Sequence, residues 1–432
     1  MDVSKLPTEV LAQIVEYIQR TRHKDSRYEP DTPAVVQSMD RDVREDIASL
    51  RLVNKALHRL ATPILFRYFN ACFPTHDLIT PDDWAARLLG ISQSQVIEEV
   101  QRLNIGFGNS ISYRGLERCL FEAAFVLPAL VHACKKLTAL RIHGSSSSKS
   151  DVEIMDQEVN QNLFMKTVEH VLRRITPNAG SYTLQTLEMT LPLTHEFTKL
   201  ADISTRRSPK PYRQPLLCFM KDLKHLHIAV SDNSGSGGRR YYSSVETKRH
   251  RKHPNTSYAA SFFNIAMLPD RLHSLSISAT HILDMDMLDI RNLRNLRELQ
   301  LNSVKISQEI LADISSRNLS TLKSVELHLV ELKSGTWESM LLEFCVLPHL
   351  ERFWISSCGY ARDGTSQDLA PGLWPPMDDP EDIETVNYRD MFALGSLQRH
   401  VNQVRTLAGC EPFTEYHYRF AELPCLETLD LE

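Results

Sequence analysis

Residues 295–302 read NLRELQLN, and the same layout returns at 271–278 (RLHSLSIS), 321–328 (TLKSVELH) and 349–356 (HLERFWIS). Each contains an apolar-x-x-apolar-x-apolar unit: Leu272/Leu275/Ile277, Leu296/Leu299/Leu301, Leu322/Val325/Leu327 and Leu350/Phe353/Ile355. Alternation in the second half of the unit is the mark of a strand with one apolar and one polar face. The unit starts lie 24, 26 and 28 residues apart, within the range of about 20 to 29 residues of short strand–helix repeat units.

Five further copies extend the pattern: Val100/Leu103/Ile105, Leu137/Leu140/Ile142, Leu184/Leu187/Met189, Leu223/Leu226/Ile228 and Leu426/Leu429/Leu431. Their longer steps, 37 to 49 residues before 272, call for longer helices or inserted loops. The 76-residue step from 350 to 426 predicts a degenerate unit near Val401–Val404. Helix-like segments fall between the strands at Tyr113–Cys134, Gln161–Ile175, Ser307–Ile314 and Thr336–Cys345. One strand and one helix per unit stack into a curved solenoid, strands inside and helices outside. The alternative is an ordinary α/β sheet whose strands share the pattern by chance, which nine occurrences disfavour. The Asn or Cys position of stricter repeats is missing, so the array is irregular.

Composition agrees with a globular chain. The 432 residues are 42% hydrophobic and 24% charged, with 49 basic and 54 acidic residues and a net charge of −5. This argues against a generally basic nucleic-acid binder and against a disordered chain. The longest apolar stretch, Phe121 to Cys134, is broken by Glu122, Pro128 and His132. It is shorter than the roughly 18 to 20 residues that span a bilayer. The opening Met1-Asp2-Val3-Ser4-Lys5 lacks the layout of a secretion signal. Eight scattered cysteines with no C-x-x-C read as reduced thiols of an intracellular protein.

Ahead of the repeats, Leu6-Pro7-Thr8-Glu9-Val10 opens an amphipathic helix with Val10, Leu11, Ile14, Val15 and Ile18 on one face. Pro7 suits the first helical position, where its missing N–H costs nothing. A polar stretch over 21–46 reads as a loop with at most one weak helix. From Ile47 a second periodic run sets Leu50, Val53, Leu57, Leu60 and Ile64 on one face. Two or three short helices in about 70 residues make a marginal core unless a partner covers them or they cap the following domain.

Together, Leu6-Pro7-x-Glu9-Val10-x-x-x-Ile14-x-x-Tyr17-Ile18 and Leu50-Arg51-Leu52-Val53-Asn54-Lys55-x-Leu57-x-x-Leu60-Ala61-Thr62-Pro63-x-Leu65-Phe66 resemble an F-box of the filamentous-fungal type. The 21–46 stretch is longer than the usual link, and Leu57 replaces a frequent tryptophan. The resemblance implies docking on a Skp-type adaptor, and through it on a cullin and a RING protein. Leu6, Pro7, Val10, Ile14, Ile18, Leu50, Val53, Leu57 and Leu60 match the docking positions, with packing of the same helices as the competing role.

The expected fold is therefore α/β: a small all-α F-box module (1–70) with an inserted loop near 21–46, a linker (71–95), and an irregular leucine-rich-repeat solenoid (96–432). Loops are expected at 144–150, 205–215, 231–257 and 359–384. The run Lys248-Arg249-His250-Arg251-Lys252-His253 reads either as a nuclear-import or phosphate-seeking patch or as a solvated loop. The acidic run 378–384 reads as a solvated loop. Location in cytoplasm, nucleus or both is expected, with no membrane partner and no nucleic-acid role.

No G-x-S-x-G, P-loop or H-E-x-x-H occurs, and no cofactor, metal or intrinsic catalysis is expected. The expected role is recruitment of a protein substrate for ubiquitination, a proximity effect. The alternative is a non-degradative binding scaffold. Residues between the repeat leucines face the polar side of the strands and are the substrate-contact candidates: Arg141, His227, Gln300, Glu326, Arg352 and Trp354. Trp354 stands out, since tryptophan is enriched at binding hot spots.

Overall fold

All three apolar positions of eight repeats are buried, from Val100/Leu103/Ile105 to Leu350/Phe353/Ile355. The ninth, at 426–431, lies outside the described residues. The computed structural model describes residues 6–23, 41–73, 80–106, 113–144, 154–175, 184–191, 220–230, 265–361, 363–370 and 382–414, with isolated residues at 197, 200, 259–260 and 262–263. The expected loops at 205–215 and 231–257, most of 144–150 and the basic run 248–253 also fall outside them. The fold is mixed α/β with extensive parallel sheet.

The chain divides into two compact units, one running to Leu226 and the other from His227 onward, with Leu193–His195 belonging to the second. In the first unit, helices α1 (Thr8–His23), α2 (Arg41–Arg51) and α3 (Lys55–Leu65) precede strand β1 (Tyr68–Asn70). Next come α4 (Pro81–Ser92), β2 (Arg102–Gly106), α5 (Tyr113–Ala133), β3 (Ala139–His143), α6 (Ile154–Ile175) and β4 (Thr186–Leu191). Strands β1 to β4 pair in order, all parallel, with Leu103, Leu140 and Leu187 in register.

Entry into each strand repeats one device. A single carbonyl accepts two successive N–H groups of the next strand: Arg67 O from Gln101 and Arg102, Gln101 O from Thr138 and Ala139, Thr138 O from Gln185 and Thr186. The second unit does the same at His273 O, Arg297 O and Lys323 O. Regular burial of leucines and this regular hydrogen bonding fix the strand register together.

Of residues 71–95, expected as a linker, the described stretches 71–73 and 80–95 fall in the first unit. Thr80 caps α4 by accepting from Asp83 N at 3.1 Å, and Pro81 occupies its first turn. Buried Trp84 meets Phe73 edge to face at 5.4 Å and donates to the Cys72 carbonyl at 3.2 Å. The apolar positions Trp84, Ala85 and Leu88 needed a surface to cover, and α5 supplies it. By compactness the chain divides near residue 226.

The second unit carries β6 (Ser274–Asp284), β7 (Glu298–Ile306), α7 (Gln308–Arg317), β8 (Ser324–His328), β9 (Glu331–Leu332) and α8 (Trp337–Phe344). It continues through β10 (Arg352–Ser356), β11 (Cys358–Tyr360), β12 (Ile383–Glu384) and α9 (Tyr388–Leu407). Strand β5 (His225–Val230) straddles the division. Strands β6, β7, β8 and β10 pair in parallel, aligning Leu275, Leu299, Val325 and Phe353.

Three consecutive repeats then bend at equivalent places. Ser303, Leu329 and Ser357 have φ of 55°, 51° and 49° and follow the register partners Asn302, His328 and Ser356. Left-handed backbone is unusual for side chains other than glycine and asparagine, so three in phase mark a built turn. Beyond the three turns the chain re-enters the sheet as the tail of β7, as β9 and as β11, and β12 then pairs with β11. Residues 359–384, expected as an inserted loop, thus contribute two short strands and a 3-10 turn at Gln367–Leu369. Val401 and Val404, expected in a degenerate strand unit, are buried residues of α9. Their 3-residue spacing serves a helix as readily as a strand unit.

One asparagine missed from sequence joins adjacent repeats. Asn318, 1% exposed at the end of α7, accepts from Leu296 N at 2.8 Å and donates to the carbonyls of Leu293 (3.1 Å) and Ile314 (2.8 Å).

Candidate functional site

Two surfaces collect the sequence candidates, one on the N-terminal helices and one on the polar side of the strands. The second run of the helical module, expected as one helix face from Leu50 to Ile64, is broken into α2 and α3. Asn54 has extended backbone (φ −158°) and accepts from Leu57 N at 2.8 Å, so it caps α3 and ends the preceding turn. The break moves Leu52 and Val53 into an exposed turn, 86% and 58% exposed.

Leu57 turns the other way. It forms a core with Leu11 and Val15, against which Leu6, Leu50, Leu60 and Ile64 pack; Ile47 and Ala61 form a second, touched by Ile18 and Leu65. Of the nine adaptor candidates, Leu57 is therefore internal, and Leu6, Ile18, Leu50 and Leu60 are half-buried packing residues. Pro7, Val10, Ile14 and Val53 are exposed. Tyr17, 67% exposed, joins Val10 and Ile14 at helical spacing. Tyr17 and Leu52 were missed as site residues, although a plain helical wheel already places Tyr17 with Val10 and Ile14.

Between α1 and α3 an open groove of about 390 Å³ runs from Ala12 and Val15 past Leu60 and Ile64 to Arg67 and Gln101. Arg67 Nε donates to Gln101 Oε1 at 3.0 Å and so links the helical module to the entry of β2.

On the strand face of the first unit, Asn70, Asn104, Arg141 and Glu188 form one cross-strand row. Arg141 is only 7% exposed, and its Nε lies 2.9 Å from Oε1 of Glu188, itself 4% exposed. Arg141, expected as a substrate contact, is thus buried with its charge facing Glu188 inside the first unit. Leaving either partner alone there would strand a buried charge.

The neighbouring positions hold Cys72 and His143, with Sγ 3.6 Å from Nε2, and Asn104 Nδ2 3.3 Å from the same sulfur. Burial pushes the Cys72 thiol up to about 12, against a smaller opposing effect of Arg141. Burial and then Arg141 push His143 down to about 4. The pair is neutral near pH 7, the opposite of an activated thiolate. Gly106 makes room for it, since a Cβ there would lie 2.2 Å from the His143 ring and 2.7 Å from Cys72 Sγ.

The second unit assembles the remaining candidates. Gln300, Glu326 and Trp354 stand side by side in one row with Ser276, and Arg352 lies in the adjacent row with Glu298. All are half-buried apart from Ser276, whose hydroxyl donates to Gln300 Oε1 at 3.0 Å. His328 stacks on Trp354 with ring centres 5.9 Å apart and planes 23° off parallel. Arg352 Nη1 approaches Glu326 Oε1 to 3.8 Å. Burial raises the Glu326 carboxyl, and the Arg352 charge only partly offsets it. His227 is half-buried on β5, on the far side of β6 from these strands.

Among the described residues, no cluster of three or more His, Cys, Asp or Glu is arranged for a metal ion, and no helix is long and apolar enough to cross a membrane. No family model matches the chain, and no curated protein matches it.

Proposed function

We propose that the chain is a substrate-recognition subunit of a Skp–cullin–F-box ubiquitin ligase, its N-terminal helices docking on a Skp-type adaptor and its repeat units holding a protein substrate. The single observation that carries the reading is the exposed apolar set Val10, Ile14, Tyr17, Leu52 and Val53 on a helical module with a very small core of its own. Several large apolar side chains left in water on so small a module point to a protein contact. The irregular leucine-rich-repeat solenoid remains the proposed architecture of the rest. Its parallel strand–helix units, buried repeat leucines and polar strand face support it. The chain then makes no bonds itself. It raises the concentration of substrate lysines near a charged conjugating enzyme.

The test is co-expression with a Skp-type adaptor and a cullin. Val10→Asp/Ile14→Asp and Leu52→Asp/Val53→Asp, both on solvent-facing positions, are expected to abolish adaptor capture while the thermal unfolding of the chain stays unchanged. Adaptor capture without cullin favours the non-degradative scaffold. Absence of adaptor capture by the unaltered chain removes the F-box reading.

A further inference from the structure

The strand face of the second unit pairs an aromatic plane with a carboxyl group that accepts no hydrogen bond among the described residues. Register places Glu326 directly beside Trp354 on adjacent parallel strands, both side chains on the polar face. Among the described residues no hydrogen bond reaches the Glu326 carboxyl, and Arg352 Nη1, 3.8 Å away, makes only a long ion pair beyond hydrogen-bonding distance. The Glu326 side chain is 24% exposed, so a ligand can reach it, while the protein around it displaces enough water to leave the carboxylate poorly solvated.

Trp354 is held nearly flat against His328. The face of an indole carries negative electrostatic potential and attracts cations within about 6 Å. Position in the rows points the same way: the register partner of Gln300 on β6 is Ser276, so beside Gln300, Glu326 and Trp354 the row carries one carboxylate and no cation of its own. An anion here would meet that carboxylate and the indole face.

We propose that this face binds a basic side chain of the recruited protein, arginine in preference to lysine, with its guanidinium against Trp354 and its N–H groups donating to Glu326. The inference rests on the substrate-recruiting reading above for the nature of the ligand, while the contact belongs to the second unit alone. Arginine is preferred because a planar guanidinium stacks on an indole and offers a fork of donors to one carboxylate. Arg352 is a built-in competitor: its charge partly neutralises Glu326 in the free protein and must yield when the ligand arrives.

The experiment titrates the full chain with three capped tripeptides, acetyl-Gly-X-Gly-amide with X arginine, lysine or citrulline, and with an acetyl-Gly-phosphoserine-Gly-amide control. Binding is followed by NMR of the tryptophan indoles. The arginine peptide is expected to bind at least about fivefold tighter than its neutral citrulline isostere. Glu326→Gln, which keeps the side-chain volume, and Trp354→Leu are each expected to remove that preference. Arg352→Gln is expected to strengthen arginine binding.

Equal binding of the arginine and citrulline peptides, no binding by any peptide, or preferential phosphoserine binding lost in Arg352→Gln overturns the proposal. The folded state of each variant is checked by circular dichroism, and Glu326→Gln stands in if Trp354→Leu fails to fold. Adaptor capture is measured on the same preparations. Arginine binding without adaptor capture sinks the F-box reading and leaves this one standing; the converse sinks only this one.

Discussion

Tyr360 donates its hydroxyl to Asp390 at 2.8 Å, joining the end of β11 to the first turn of α9 across 30 residues of chain. Asp390 is fully buried and also accepts from Glu338 N (2.8 Å), Thr385 Oγ1 (2.7 Å) and Asn387 Nδ2 (3.1 Å). Through Glu338 N it satisfies a free N–H at the start of α8, while Tyr360 Oη accepts from Trp337 N at 2.9 Å. One carboxyl group therefore ties two helices and a strand edge together.

Removing that acceptor leaves several buried donors without partners. Asp390→Ala is expected to cost about 2–4 kcal/mol in urea unfolding, and Tyr360→Phe about 1–2 kcal/mol. A double-mutant cycle on the pair should return a coupling of at least about 0.5 kcal/mol. Additive effects would show that the two residues act independently.

Two glycines should respond with opposite signs. Gly395 lies within α9, and beyond its own helix backbone and chain neighbours no atom comes within 4 Å of where a Cβ would stand, so Gly395→Ala should stabilise by about 0.5–1 kcal/mol through reduced chain entropy. At Gly364 a Cβ would come within 2.3 Å of the Lys333 carbonyl oxygen, which is backbone and cannot turn away. Gly364→Ala should cost about 1–3 kcal/mol. Thermal melts of the two variants, compared with the parent, read both signs.

His143 gives a pH signature. Its folded pKa is held near 4, below the ordinary value of 6.5, so the unfolded chain binds the extra proton between these limits. The stability associated with neutral His143 is complete above about pH 6.5 and drains away as pH falls toward 4, at up to about 1.4 kcal/mol per pH unit. His143→Gln should flatten this part of the pH–stability curve relative to the parent. An unchanged slope would show that His143 is well solvated in the folded chain.

Glu326 behaves in the opposite sense. Its folded pKa is raised, so its contribution favours folding at low pH and is lost as pH rises through the raised value. Above that value the poorly solvated charge is a cost, and Glu326→Gln should unfold no more easily than the parent while losing arginine-peptide binding. Tolerating such a cost is expected of a residue kept for recognition. A clear loss of stability on this change would assign Glu326 a structural role instead.

In the helical module, Leu57→Ala should cost about 2–5 kcal/mol, because it empties a site packed between α1 and α3. Val53→Asp, four residues earlier, should leave the unfolding midpoint almost unmoved. Asn54→Ala lies between them, at about 1 kcal/mol for a lost helix cap. Chemical denaturation of the three variants orders them, and equal losses at Val53 and Leu57 would contradict the outward orientation of Val53.

Sequence alone determined the buried side of every described repeat and the helices between, because a leucine spacing dictates which face of a strand or helix avoids water. It also determined that the N-terminal segment forms short amphipathic helices. Tertiary structure alone decided which polar residues remain available. Arg141 and Arg352 both lie on the polar side of their strands, yet one is buried 2.9 Å from Glu188 on the next strand and the other is half-buried, 3.8 Å from Glu326. In the helices, one asparagine cap separated outward Val53 from inward Leu57, which periodicity had placed together. Spacing along a chain reports the face a residue occupies. What meets it there comes from strands and helices distant in sequence, and only the folded register brings those neighbours into place.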